Sequence, residues 1–292
     1  MEIAFHIGAH CTDDGRLLKS LLLNRARLAD HGVAVPGPSS YREILRDVIG
    51  KLQGRVADAQ AQDAVLEAIL EGDEPTRLVL HNENFVSMPA MSLGDGRLYP
   101  RAYKTEWLRN LFPDHQVSFH IGIRNPASFV PALWNSLGKS RPAFAEFLAG
   151  HDPELLTWSD TIARVRAVNP DSPISVWCNE DSPLIWTEMM RDVAGLDPLA
   201  SLDGGFDMLR TIMSDEGMKR LLAYSSANPP QNEMMRRRVV AAFLDKYALE
   251  GAMEEELDLP GWDGALVDEL TQGYEDDLYL IQAIPGVSVL TP

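Results

Sequence analysis

Apolar and polar positions alternate at the start of the chain: Ile3, Phe5 and Ile7 are separated by Ala4, His6 and Gly8, a period of two that predicts a buried strand. The period then changes. Leu17, Leu18, Leu21, Leu22 and Leu28 share one side of a 3.6-residue repeat, so a helix follows; the Thr12-Asp13-Asp14 turn supplies its capping residues, and His31-Gly32 stops it after about Asp30. Val33-Ala34-Val35 predicts a short extended piece. Helical spacing returns in Tyr41, Ile44, Leu45, Val48, Ile49 and Leu52, and again in Val65, Leu66, Ile69 and Leu70. Leu78-Val79-Leu80, followed by the polar His81-Asn82-Glu83-Asn84, predicts a central strand whose carboxyl end lies at a site.

Met88 to Pro100 has the composition of a loop, and Tyr103, Trp107, Leu108 and Leu111 predict a helix over 102–112. A strand is expected from Val117 to Ile123 and a helix from Pro126, with a kink or break at Pro131. Ile174-Ser175-Val176-Trp177 is the last strand that the pattern predicts; a helix bearing Leu184, Ile185, Trp186 and Met189 comes after it. Beyond about Pro198 only helix and loop are expected, including Met234 to Tyr247 and a helix beginning near Asp263. Strands alternating with crossover helices imply an α/β fold, a doubly wound and mainly parallel sheet in a three-layer α/β/α arrangement. Residues 1–195 form the α/β core of this reading and 196–292 a helical C-terminal region packed on it.

Composition narrows the function. No apolar run approaches the ~18 residues of a membrane span, and the start lacks a basic segment followed by an apolar one, so a cytoplasmic protein is expected. In such a chain Cys11 and Cys178 are expected to be reduced. The formal charge of −17, from 43 acidic and 26 basic residues, argues against nucleic acid as a partner. Any anionic ligand must be held locally. The acidic runs Glu254-Glu255-Glu256 and Glu275-Asp276-Asp277 are expected to be solvated helix ends or loops.

A strand that hands over to a helix at a small-residue turn places unpaired amides at a positive helix terminus, a setting for phosphate or sulfate. The turn over residues 9–17 has this form, so an anionic nucleotide is the first expectation. Arg124 stands at another strand end, where a planar guanidinium suits two-pronged phosphate contact; the competing role is a surface ion pair. His10 has the chemistry of a general base or of a satisfied structural imidazole, and Glu83 is the best carboxylate for deprotonating an acceptor, with helix capping or ion pairing as its alternative. His6 and His120 are expected to be buried and hydrogen-bonded. No metal is expected, because His6, His10, Cys11, Asp13 and Asp14 lack paired ligand spacing.

In order along the chain, His6-Ile7-Gly8-Ala9-His10 with its Thr12 turn, Leu80-His81-Asn82-Glu83-Asn84-Phe85, Ile123-Arg124-Asn125-Pro126 and Val176-Trp177-Cys178-Asn179-Glu180 resemble the successive strand-and-turn motifs of the sulfotransferases. The resemblance covers roughly residues 1–195. It implies a P-loop nucleotide-kinase-like fold and 3′-phosphoadenosine 5′-phosphosulfate as donor to a hydroxyl or amine acceptor, a carbohydrate or other small molecule. It implies that Ala9, Cys11, Thr12, Asp13, Asp14, Gly15, Arg16 and Leu17 hold the phosphosulfate, that Arg124 with Ser128 or Ser136 holds the 3′-phosphate, and that Glu180 is scaffold. His10 or Glu83 takes the acceptor's proton.

The chain departs from that pattern in two places. The family's loop lysine is missing, leaving Arg16 and Lys19 as the nearby cations, and Ala132 stands where a serine is usual. Asp13 and Asp14 repel a bound phosphosulfate by ~1 kcal/mol each when partly buried, unless they face outward or cap the helix. Two alternatives follow: a degenerate relative that binds or assembles without transfer, and another P-loop transferase or kinase. ATP hydrolysis is disfavoured by the absence of Gly-Lys-Ser/Thr.

Overall fold

The alternating first segment forms strand β1 (Glu2–His6), and both of its neighbours in the sheet come from far along the chain. The computed structural model describes residues 1–251 and 259–292, so Glu254, Glu255 and Glu256 lie outside the described residues. After β1 come helices α1 (Arg16–Leu23) and α2 (Arg25–Asp30), strand β2 (Val33–Ala34), helices α3 (Pro38–Leu52) and α4 (Ala59–Leu70), and strand β3 (Arg77–His81). A hairpin of β4 (Leu93–Gly94) and β5 (Arg97–Leu98) precedes α5 (Lys104–Asn110) and β6 (Gln116–Ile123). Then follow α6 (Pro126–Ser136), α7 (Phe144–Phe147), α8 (Trp158–Val168), β7 (Ile174–Cys178), α9 (Ser182–Ala194), α10 (Asp215–Ala227), α11 (Glu233–Tyr247), α12 (Gly264–Gln282) and β8 (Val287–Leu290).

The central sheet has the order β2-β3-β1-β6-β7-β8 and every pairing in it is parallel. Alternation along the strands divides the core between its two faces. Ile3 and Phe5 pack with Tyr41, Leu108, Phe129, Trp158 and Ile281, whereas Ala4 packs on the other face with Leu17, Leu21, Trp186 and Met189. Helices therefore cover both sides, as near-continuous apolar strands require. No helix among the described residues is long and apolar enough to cross a membrane.

Four local expectations need correction. The helix expected to run to Asp30 breaks at Asn24, whose buried side chain donates to the Ser20 and Asp203 carbonyls and accepts from the Asp203 amide. Met88 to Pro100 contains the β4–β5 hairpin instead of loop alone. Helix α6 runs unbroken through Pro131. The C-terminal region is not all helix: β8 extends the core sheet beside β7, and α12 packs into the same apolar cluster as β1.

Asp277, in a run expected to be solvated, is buried. Its Oδ2 accepts from the amides of Trp158 at 2.7 Å and Ser159 at 3.0 Å, so it neutralises the amino end of α8.

Candidate functional site

Neighbouring strands lead to opposite faces of the sheet where β1 meets β6: the chain leaves β1 toward α1, packed against α9, and leaves β6 toward α6, packed against α12. Such a reversal opens a crevice at the carboxyl ends of the strands. Beyond His6 the chain keeps pairing with β6, since Ile7 donates to the His120 carbonyl and Ala9 to that of Gly122. Gly8 has φ +106°, and a Cβ there would sit 3.3 Å from the His10 amide and 3.6 Å from the Glu83 Cα. Only glycine lets the β1 and β3 ends approach this closely.

The turn from Cys11 to Gly15 has positive φ at Cys11, Asp14 and Gly15. Left-handed positions on either side of Thr12 and Asp13 turn the chain from strand to helix within a few residues. Among the described residues, no acceptor meets the amides of Cys11, Thr12, Asp13, Asp14 or Gly15. The flanking amides are occupied. His10 donates to the Tyr99 hydroxyl at 2.8 Å, Arg16 to the Asp13 carbonyl at 2.9 Å, and Leu17 to the Asp13 carboxylate at 2.9 Å. The amides of Ala9, Arg16 and Leu17 thus have acceptors within the chain, and those left without one among the described residues are 11–15.

The two aspartates have separate fates. Asp13 is buried and caps α1 through Oδ2, while its Oδ1 has no hydrogen-bond partner among the described residues. Asp14 is exposed and pairs with Arg16 at 3.1 Å. The Thr12 hydroxyl donates to the Ala9 carbonyl at 2.8 Å and so braces the turn from within. Lys19 is exposed one turn into α1, with no partner among the described residues.

Arg124 closes the other side. Its Nη1 donates to the Cys11 carbonyl at 2.8 Å and its Nε to the Ser128 hydroxyl at 2.9 Å. Its own carbonyl accepts from the Trp158 indole at 2.7 Å, and Glu180 receives the Asn125 amide at 2.8 Å, the scaffolding role expected of that glutamate. Ser136 is exposed and donates to the Leu133 carbonyl, with its hydroxyl beside the Cys11 thiol. Burial pushes that thiol up to about 11, against the opposing pull of Ser136 and Arg124, so Cys11 stays protonated near neutrality.

His10 is buried, with Nδ1 2.7 Å from the Tyr99 hydroxyl and Nε2 3.2 Å from Asn84 Oδ1. The amide oxygen can only accept, which places the ring proton on Nε2 and leaves Nδ1 to receive the tyrosine proton. Both nitrogens are engaged, and burial lowers the imidazole's pKa. Glu83 differs: it is half-buried and makes no hydrogen bond among the described residues. Burial first, then repulsion from Asp13 and Asp14, raises its pKa above the ordinary carboxylate range, while Arg42 opposes the shift. A carboxylate poised in this way is suited to accept a proton.

Three contributors were not singled out by sequence: Arg42 and Tyr41, which bind the His81 carbonyl at the end of β3, and Tyr99, which positions His10. No periodic signal separates them from ordinary helix and loop residues. No protein-family model, curated protein or solved structure matches the chain.

Proposed function

We propose that the crevice between β1 and β6 binds the phosphosulfate of 3′-phosphoadenosine 5′-phosphosulfate, and that the chain is a sulfotransferase-like protein on a P-loop nucleotide-kinase-like core. The observation that carries this reading is the run of amides from Cys11 to Gly15 that meet no acceptor among the described residues, with the Arg124 guanidinium 2.8 Å from the Cys11 carbonyl. Amides that meet no acceptor among the described residues, at a strand-to-helix turn, favour an oxyanion. In transfer, the acceptor hydroxyl or amine attacks sulfur in line, the bond from sulfur to the nucleotide phosphate oxygen breaks, and Glu83 receives the acceptor's proton. Positioning and charge stabilisation supply most of the rate.

A second reading is favoured by Asp13, whose carboxylate fills the amide of Leu17, and by Lys19, which stands on the solvent face of α1. In that reading the crevice binds an anionic nucleotide without transferring sulfate. Calorimetric titration with adenosine 3′,5′-bisphosphate, with magnesium-ATP as comparator, tests both. Saturable binding of the bisphosphate, weakened at least tenfold by Arg124→Ala, supports the site; heat only from magnesium-ATP, or from neither, ends the sulfonucleotide reading. Binding without product on a panel of hydroxyl and amine acceptors selects the non-transferring form.

A further inference from the structure

A second constellation lies at the opposite, amino-terminal end of the sheet. A cavity of about 710 Å³ opens there, lined among others by Glu2, Arg77, Ser118, His120, Ser175 and Asp192. Its volume falls within the range of small-molecule sites, ~300–1,000 Å³. Ser118 and His120 are two residues apart on β6, so their side chains share one face of the sheet. The Ser118 hydroxyl is 3.3 Å from His120 Nε2, and His120 Nδ1 is 2.8 Å from Asp192 Oδ2.

The surrounding groups decide the proton's place. Arg77 Nη2 approaches His120 Nε2 at 3.3 Å, and a guanidinium can only donate, so Nε2 carries the lone pair and Nδ1 the proton given to Asp192. This is the tautomer a general base requires. Asp192 is held in turn: its Oδ1 accepts from Ser175 at 3.1 Å, and its carbonyl receives Arg77 at 3.4 Å. Arg77 is fixed by an ion pair with Glu2 and by the Val193 carbonyl at 3.0 Å. Nucleophile, base, orienting carboxylate and a cation beside the base therefore meet on a cavity wall.

We propose that Ser118, His120 and Asp192 form a nucleophilic triad that cleaves small acyl esters, a second activity independent of the nucleotide crevice. Ser118 Oγ bonds to the ester carbonyl carbon as its proton passes to His120 Nε2. With Nη1 on Glu2 and Nε on the Val193 carbonyl, Arg77 redirects its Nη2 hydrogen from that nitrogen to the developing oxyanion. The carbon–oxygen bond to the alcohol then breaks, and the alcohol departs with the proton from Nε2. Water attacks the acyl-serine, loses its proton to Nε2 and releases the acid, and Ser118 regains its hydroxyl hydrogen.

The test uses the full chain with p-nitrophenyl acetate and a fluorophosphonate probe, the modified residue being located by peptide mass spectrometry. The expected result is a phosphonate on Ser118, blocked hydrolysis after labelling, and a rate at least tenfold lower in Ser118→Ala with an unchanged melting transition. Hydrolysis unaffected by Ser118→Ala, or a probe that leaves Ser118 unmodified, overturns the proposal. Should Ser118→Ala fail to fold, the site of phosphonate attachment in the unsubstituted chain decides it alone.

Discussion

The indole Nε1 of Trp262 donates to the carbonyl of Ala127 at 2.9 Å, and Ala127 is the residue four before Pro131. Proline has no amide, so a proline inside a helix orphans the carbonyl four positions back. Trp262 supplies the missing donor from another part of the chain. This is why α6 continues where its sequence predicts a kink or break.

Trp262→Phe leaves that carbonyl without a donor in a buried setting, a loss of ~1–3 kcal/mol beyond the change in packing. In a Pro131→Ala background the restored amide takes over. The expected coupling in a urea-unfolding double-mutant cycle is therefore the same ~1–3 kcal/mol, and strictly additive effects contradict the compensation.

His6 and His81 sit head to head, Nδ1 to Nδ1 at 2.7 Å, beneath Trp177. One proton fits between the two nitrogens; two do not. Burial first, and then the charge of a neighbouring imidazole, depresses both groups from the ordinary 6.5 to about 3. Because the folded values lie below the unfolded ones, the pair's contribution is complete above pH 6.5 and is lost as pH falls toward 3. Unfolding free energy should fall by up to ~1.4 kcal/mol per pH unit for each histidine across that window. His6→Phe should remove about one proton's worth of slope in a pH series of urea melts; an unchanged slope refutes the assignment.

Asp14 faces solvent and helps raise the pKa of Glu83. Asp14→Asn removes one repulsive charge from the crevice and releases Arg16. Affinity for the bisphosphate should then rise by roughly twofold to fivefold, the scale of an exposed charge pair. The acid limb of any transfer activity should move to lower pH in the same variant. Unchanged affinity in a calorimetric comparison would show that Asp14 does not sense the ligand.

The capping role expected for at least one of the two aspartates belongs to Asp13, because the reach from its side chain to Leu17 is local and so is written in the order of residues. The same holds for the first five strands of the sheet and for the helices between them, whose periodicities repeat within a few residues. Arg124 was legible for the same reason, as a cation at a strand end before Asn-Pro.

What tertiary structure alone decided are contacts between residues far apart in the chain. Tyr99 meets His10 across 89 positions, Asp277 meets Trp158 across 119, and Trp262 meets Ala127 across 135. Ser118 and His120 are neighbours on one strand, yet their chemistry depends on Asp192, which arrives 72 residues later on α9. Periodicity reports which face of an element is apolar, whereas a hydrogen-bond partner depends on where two elements meet. That meeting is settled only when the sheet order brings β1, β6 and the late helices together.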